Sequence, residues 1–516
     1  MQQSQSKQQV GGILGFIERI GNKIPDITIL FISAFLLVCV VSAVLAQIHF
    51  NYVHPATGRP IEITNMLSGK ALVDLMSKMV TNYANFPPLS MVIVATLGIG
   101  IADGSGYINM GLKKILSITP KVLITPVVIL VGMLSHLGPD SGYVIIIPIA
   151  AYMFYAVGKH PLAGIAASFA GIAGAFAANY TPSAIDPVIQ GFTQSAAQII
   201  DPGYQVNVLC NYFYAFASTF IVIGACWWVT EKITNPWLWK ACPLDDDLDL
   251  GNENNSSITP SENRAFKIAT AVLLLMLTGL AAALYPADSI LRAPDGVIAS
   301  FKAPIMQSIV SLIFIFAALV GLVYGIACGK FKSPKDVTAA MEEITKTLVQ
   351  LIVFYFFAAQ FLYAFGASNM GALIAVSGAE FLKSLNLPPQ VTVFGIIVFV
   401  ALLNLIITSA SAKWAILAPI FVPMLMAVGI APELTQVAFR VSDSAVNVVT
   451  PMFAFYPLII LYCQKYVKNA GIGTLSSMML PYTIALLVSL TFMLYLFWWL
   501  DIPLGFQADY VYPRRF

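Results

Sequence analysis

The stretch DSGYVIIIPIAAYMFYAVGKHPLAGIAASFAGIAGAFAANYTP at residues 140–182 returns in altered form as SAKWAILAPIFVPMLMAVGIAPELTQVAFRVSDSAVNVVTP at residues 411–451. At an offset of 271 residues the copies match at Ile145/Ile416, Pro148/Pro419, Ile149/Ile420, Met153/Met424 and Pro161/Pro432. They also share Ala156-Val157-Gly158, repeated as Ala427-Val428-Gly429. A two-residue slip then brings Thr181-Pro182 into line with Thr450-Pro451. Shared isoleucines carry little weight in apolar sequence; shared prolines and the AVG tripeptide carry more. Proline-interrupted hydrophobic segments in corresponding places of two halves point to a secondary transporter's binding site.

Working outward, the composition excludes a soluble domain: 58% of the 516 residues are hydrophobic and only 10% are charged. A net charge of +2, without basic stretches that interleave aromatics, gives no sign of a nucleic-acid partner. The six cysteines are scattered through mostly apolar sequence without metal-ligand spacing, and read as buried reduced thiols. Val44-Leu45-Ala46 resembles a signal-peptide cleavage site, but the apolar run 27–48 is long enough to span a bilayer and its polar lead 1–26 is long. An uncleaved first span is expected.

The reading is an all-α polytopic membrane protein. Nine crossings fit the hydropathy, at about 27–48, 88–108, 161–200, 208–229, 266–285, 305–328, 347–366, 433–464 and 476–500. Two further apolar stretches, 122–157 and 390–429, are too long for one span. Gly138-Pro139-Asp140-Ser141-Gly142 interrupts the first and Thr408-Ser409-Ala410-Ser411-Ala412-Lys413 the second, so each is expected to form a re-entrant hairpin with a polar tip. Such a tip survives at membrane depth only against protein or a wet cavity. The membrane halves are then 27–230 and 266–500, with broken helices at 161–200 and 433–464. The acidic segment 231–265 reads as a solvated, flexible cytoplasmic linker, and 501–516 as a tail. Residues 71–80 read as a short interfacial helix.

Lysines such as Lys113, Lys114, Lys159, Lys232, Lys330, Lys335 and Lys465 fall on the side shared with the N-terminus. Fewer basic residues (Arg59, Lys70, Lys78, Arg292, Lys302, Lys383) lie opposite, with Arg514-Arg515 the main discordance. Positive-inside bias therefore sets the N-terminus in the cytoplasm. Five crossings separate the two hairpins, and an odd number makes the repeat inverted.

Charges inside spans are costly and mark substrate or ion paths. The candidates are Asp140, Asp186, Lys413, Arg440 and Asp443. Arg440 and Asp443, three apart on one helix, share a face and are expected to pair, either as a functional site or as a lock between helices. Phe169 and Ile172 hold the equivalent places in the first copy, so the half-sites are chemically unequal. Thr181-Pro182 with Pro187, and Thr450-Pro451 with Pro457, are expected to unwind the two broken helices. Freed carbonyls there, with oxygens of Asn179, Thr181, Asn447 and Thr450, suit a sodium ion, while half-helix N-termini suit an anionic substrate. Asp186 reads both as a proton carrier and as an N-cap. Trp414, matched by Tyr143 in the first hairpin, is expected to stack on substrate. The Gly/Ala/Ser-rich segment 163–178 is expected to pack closely against a hairpin. No energy-transducing domain is present: Gly325–Lys330 lacks the spacing and the Ser/Thr of a phosphate loop.

With LGPDSGYVIIIPIAA, NYTPSAIDP, SASAKWAILAPIFVPM and RVSDSAVNVVTPM the chain resembles the p-aminobenzoyl-glutamate transporter (AbgT) family over nearly its whole length. The resemblance implies nine transmembrane helices plus two re-entrant hairpins, a homodimer with a wet cytoplasm-facing basin, and ion-coupled transport in the bacterial inner membrane. It implies substrates such as p-aminobenzoyl-glutamate, a folate breakdown product, and p-aminobenzoate, with export of sulfonamide antimetabolites in some members. Positions matching the family's functional residues are Asp186, Trp414, Pro432, Arg440, Asp443 and Pro451.

The expected mechanism has Arg440 pairing a substrate carboxylate, Trp414 stacking on the aromatic ring, and Asp186 and Asp443 coupling proton or sodium movement. Ser411 and Asn447 complete the expected substrate shell, Pro182, Pro432 and Pro451 shape the helix breaks, and no cofactor is expected. Two rivals are a passive channel and an intramembrane hydrolase. His136 with Ser141 is the only plausible catalytic pair for the latter, because neither HExxH nor GxSxG occurs.

Overall fold

The computed structural model describes residues 25–53, 58–137, 141–183, 185–245, 258–298, 300 and 302–513. Its regular structure is helical, with only two isolated bridges, Val53–Pro60 and Ile430–Val511, among the described residues. The chain opens with α1 (Ile27–Leu45), α2 (Gly69–Ala84), α3 (Pro87–Ser105) and α4 (Tyr107–Ser117). The first copy follows as hairpin arms α5 (Ile124–Leu134) and α6 (Ser141–Ala156), then α7 (Pro161–Phe169), a π turn at Ala170–Gly174, a gap, and α8 (Ile185–Ala197). Next come α9 (Tyr212–Val229) and α10 (Asn235–Ala241). The second half begins with α11 (Pro260–Leu284), α12 (Ile309–Ala327), α13 (Pro334–Lys346), α14 (Val349–Ala367) and α15 (Met370–Ser384). The second copy is α16 (Pro389–Asn404), α17 (Ala410–Met426), α18 (Pro432–Val446) and α19 (Tyr456–Gln464), and α20 (Ile472–Trp499) closes the fold.

The copies fold alike. α5 and α6 both pack on α7, and α16 and α17 both pack on α18, so each hairpin embraces the first segment of its own broken helix. The second segments cross over: α8 packs on α17, and α19 on α6 and α7. Small residues make the first embrace close, as the sequence expects. A Cβ on Gly164 would lie 2.4 Å from the Ala150 carbonyl oxygen, and one on Gly171 would lie 2.5 Å from that of Ile129. Only hydrogen fits at those crossings.

Prolines set where these helices begin. Pro161 and Pro432 occupy the first turns of α7 and α18, where the missing N–H costs nothing. Pro187 and Pro457 likewise sit in the first turns of α8 and α19. They start the second segments, and the unwinding falls before them, at Thr181-Pro182 and Thr450-Pro451. This corrects the expected role of Pro187 and Pro457: a proline breaks a helix only where an intrahelical N–H is required.

Seven helical stretches among the described residues are long and apolar enough to cross a membrane, and the two broken helices occupy the remaining expected crossings. Around the repeat core, α3 packs against α12 and α13, α11 lies on α12, and α1 and α2 lie on α14. Hydropathy does not mark α4, α13 and α15 as crossings. Gly106, at φ +91°, lets α4 turn away directly after α3, and α15 bends 117° into α16. The linker 231–265 holds α10 and the start of α11; residues 246–257, which include Asp246, Asp247 and Asp249, lie outside the described residues. α2 extends the expected interfacial helix to Gly69–Ala84.

Candidate functional site

Both hairpin tips and both helix breaks converge on one cavity of about 490 Å³, within the range of small-molecule sites. The first hairpin supplies His136 and Tyr143, and the first break Phe176, Asn179 and Ser183. The second hairpin supplies Thr408, Ser409 and Ser411, and the second break Asn447, Phe453 and Phe455. Leu348 and Leu351 close one side from the scaffold. One wall is aromatic: the Tyr143 and Phe455 rings stack at 4.2 Å with planes 6° apart, and Phe453 lies 5.7 Å from Tyr143. Serine, threonine and asparagine side chains provide the polar wall.

Two ion pairs lie behind that wall. Arg440 Nη1 is 2.7 Å from Asp186 Oδ1, with the two side chains only 3% and 13% exposed. Lys413 Nζ is 2.6 Å from Asp443 Oδ1, both almost fully buried. Each pair reaches the cavity through one polar residue. Ser183 donates its N–H and its hydroxyl to Asp186 Oδ2 at 2.7 and 3.0 Å, and Asn447 Nδ2 approaches Asp443 Oδ2 at 3.4 Å. Two opposite charges at each place satisfy the requirement that buried charge be paired.

The expected Arg440–Asp443 pairing is therefore corrected: each residue finds its counter-ion on another element. Residues three apart on a helix diverge by about 60° (3.6 residues per turn), so Arg440 points to α8 and Asp443 to the second hairpin. Asp186 lies inside the first turn of α8 and not at its N-cap. Its Oδ2 accepts from Ser183, which precedes the helix, while its Oδ1 holds Arg440. Arg440 leaves Nε and Nη2 without a hydrogen-bond partner among the described residues.

Trp414 sits where the chain closes, not where the cavity opens. It is fully buried, its indole N–H donates to Thr193 Oγ1 at 2.9 Å, and its ring stacks on Phe439 at 4.5 Å. In this conformation it joins α17 to α8 and α18, and presents no open face to a ligand. Thr450 is also turned inward, donating to the Leu405 carbonyl at 2.8 Å. Thr181 is half-buried beside the first break, and Pro182 and Pro451 lie within the two breaks. Of the expected site residues, Ser411, Asn447 and Asn179 line the cavity. Asp140 lies outside the described residues, as does the side chain of Ser141.

Residues 12–512 match the AbgT putative transporter family. The chain belongs to the AbgT transporter family. It is 32% identical to the p-aminobenzoyl-glutamate transport protein of Escherichia coli K12, covering 99% of this chain and 98% of that one. Among solved structures, MtrF of Neisseria gonorrhoeae, described among antimetabolite efflux pumps, is similar with a TM-score of 0.90 and 39% identity, over 96% of this chain and 100% of that one. The YdaH transporter of Alcanivorax borkumensis, described as having an unusual topology, is similar with a TM-score of 0.88 and 37% identity, over 93% and 100%. This AbgT chain is a multi-pass membrane transporter and not an enzyme. His136, half of the hydrolase pair, is instead bonded through Nδ1 to Asn179 Oδ1 at 2.7 Å and through Nε2 to the Ile172 carbonyl at 2.6 Å.

Several site residues of this AbgT protein escaped the sequence reading. Asn404 ends the apolar run 393–403 of α16 and is fully buried beside Asp443; a polar residue closing such a run is the sequence signal for it. Phe453 and Phe455 gave none, because aromatic residues are common throughout the chain. Glu433, also fully buried, accepts from the Tyr204 hydroxyl through both carboxylate oxygens, away from the cavity.

Proposed function

We propose that this chain moves p-aminobenzoyl-glutamate and related aminobenzoates across the bacterial inner membrane, as an ion-coupled secondary carrier driven by a proton or sodium gradient. One observation carries the reading: a single cavity is built from both hairpin tips and both helix breaks, with an aromatic wall and an incompletely partnered arginine behind its polar wall. An aminobenzoyl ring packs against Tyr143, Phe453 and Phe455. A substrate carboxylate that displaces Ser183 from the wall reaches the free edge of Arg440, whose planar fork suits carboxylates. Asp186, released from Arg440 by that anion, is the group that takes up a coupling cation or proton.

The working form is a homodimer with the N-terminus in the cytoplasm. The broadly exposed α11, which buries only Ala265 and Ala269 on its own chain, supports lipid or subunit contact there. Export of antimetabolites such as sulfonamides is a second reading, favoured by the similarity to MtrF. It uses the same cavity with the opposite net direction.

The test is flux of radiolabelled p-aminobenzoyl-glutamate in proteoliposomes, with proton and sodium gradients imposed separately in each direction. Uphill accumulation under either gradient supports the carrier, and its direction separates uptake from export. Only downhill equilibration under every gradient overturns coupling in favour of a channel.

A further inference from the structure

The Lys413 ammonium is held by a cage of three oxygens, with the Phe439 ring 5.7 Å away. Asn404 Oδ1 accepts from it, the Ile407 carbonyl accepts at 3.1 Å, and Asp443 Oδ1 lies at 2.6 Å. These come from the end of α16, the hairpin tip and α18, so one group ties together three pieces of chain. The cage is itself braced: Asn404 Nδ2 donates to the Asp443 carbonyl at 2.7 Å and to Asn447 Oδ1 at 3.1 Å. A carboxylate, an amide carbonyl and a backbone carbonyl are also the donor set of a hard metal cation. Three oxygens match the three protons of an ammonium.

We propose that Lys413 is a tethered cation filling a site that would otherwise take sodium, so that the second half-site contributes a fixed charge and not a travelling ion. Charge balance makes the two occupants exclusive. Lys413 and Asp443 sum to zero, and a sodium ion added beside them would leave an uncompensated positive charge where almost nothing is exposed. Asn447 lines the cavity and contacts Asp443, so an ion arriving from the cavity has a path to the cage once the ammonium is gone. The first copy cannot build an equivalent. Gly142 stands at the register of Lys413 and Ile172 at that of Asp443.

This inference rests on the carrier reading for its meaning, but its test needs neither substrate nor flux. Purified wild type, Lys413→Ala and Lys413→Ala/Asp443→Asn are melted in detergent across a sodium chloride series, with choline chloride holding ionic strength constant. The expected result is a saturable, sodium-specific upward shift in Tm for Lys413→Ala, absent from wild type and from the double variant. Lys413→Ser, which also removes the ammonium, is expected to show the same shift. No sodium-specific shift in either single variant overturns the proposal, as does failure to recover either one from sodium-containing buffer. A wild-type sodium shift that Asp443→Asn abolishes overturns it too. If flux fails while the shift appears, the transport reading falls and the cage stands.

Discussion

Arg440 Nη1 lies 2.7 Å from Asp186 Oδ1, so a guanidinium of the second copy is neutralised by a carboxylate of the first. The break in one broken helix is thereby held by the intact segment of the other. Breaking this buried pair is expected to cost about 3–5 kcal/mol, because an unpartnered charge stays behind. Asp186→Ala should lower the melting temperature sharply, and Asp186→Ala/Arg440→Met should recover most of the loss. A double variant no more stable than Asp186→Ala would show that the interaction is not electrostatic.

Arg440 also offers a fork that lysine cannot copy. Arg440→Lys should keep the pair with Asp186 yet weaken binding of p-aminobenzoyl-glutamate by about tenfold, the worth of roughly one charge-assisted hydrogen bond. Equilibrium binding of labelled substrate to purified protein measures this. Undiminished affinity would remove the two-pronged contact.

Trp414 and Phe455 should behave differently. Trp414→Phe loses the bond to Thr193 and is expected to cost about 1 kcal/mol of stability with little change in substrate affinity. Phe455→Ala removes part of the aromatic wall and should weaken binding of aromatic substrates by roughly 0.5–1.5 kcal/mol. Paired melting and binding curves separate the two effects, and the reverse pattern would move the ring site to Trp414.

Close helix contact at Gly171 is testable against a permissive control. Gly171→Ala would set a Cβ 2.5 Å from the Ile129 carbonyl oxygen, whereas one at Gly224 in α9 meets nothing within 4 Å. Gly171→Ala should destabilise by at least 1–3 kcal/mol, in the range of overpacking (~), and Gly224→Ala should stabilise by about 0.5–1 kcal/mol. Equal melting temperatures would refute the packing argument.

At the exposed start of α13, Asp336 Oδ2 accepts from the N–H groups of Lys332 and Ser333 at 2.7 and 2.8 Å, and these bonds hold its carboxyl below the usual range. A carboxyl lowered on folding contributes stability that is present above its unfolded pKa and lost as pH falls through its folded pKa. Hydrogen exchange at the first turn of α13 should therefore accelerate on acidification beyond its intrinsic pH dependence. Asp336→Asn should remove that excess.

The repeat, the helical class, the two hairpins and the positions of the broken helices were legible in the primary sequence. Hydropathy, proline placement and small-residue runs act over one or two turns, and the backbone obeys them wherever it is buried. Gly164 and Gly171 were read as packing residues for that reason. The breaks at Thr181-Pro182 and Thr450-Pro451 were legible too, whereas Pro187 and Pro457 were not, because a first-turn proline and a breaking proline look the same in sequence.

Which charge meets which was another matter. Spacing paired Arg440 with Asp443, its neighbour on one helix, and made Trp414 a face open to ligand. Folding instead gave Arg440 to Asp186, Asp443 to Lys413, and Trp414 to Thr193 and Phe439. The chain alone determined where helices run and where they fail, because those depend on local backbone hydrogen bonding and burial. Only tertiary structure decided the partners of buried charges and the lining of the cavity, because electrostatic pairing and close packing depend on distance in space, and segments some 250 residues apart share one site.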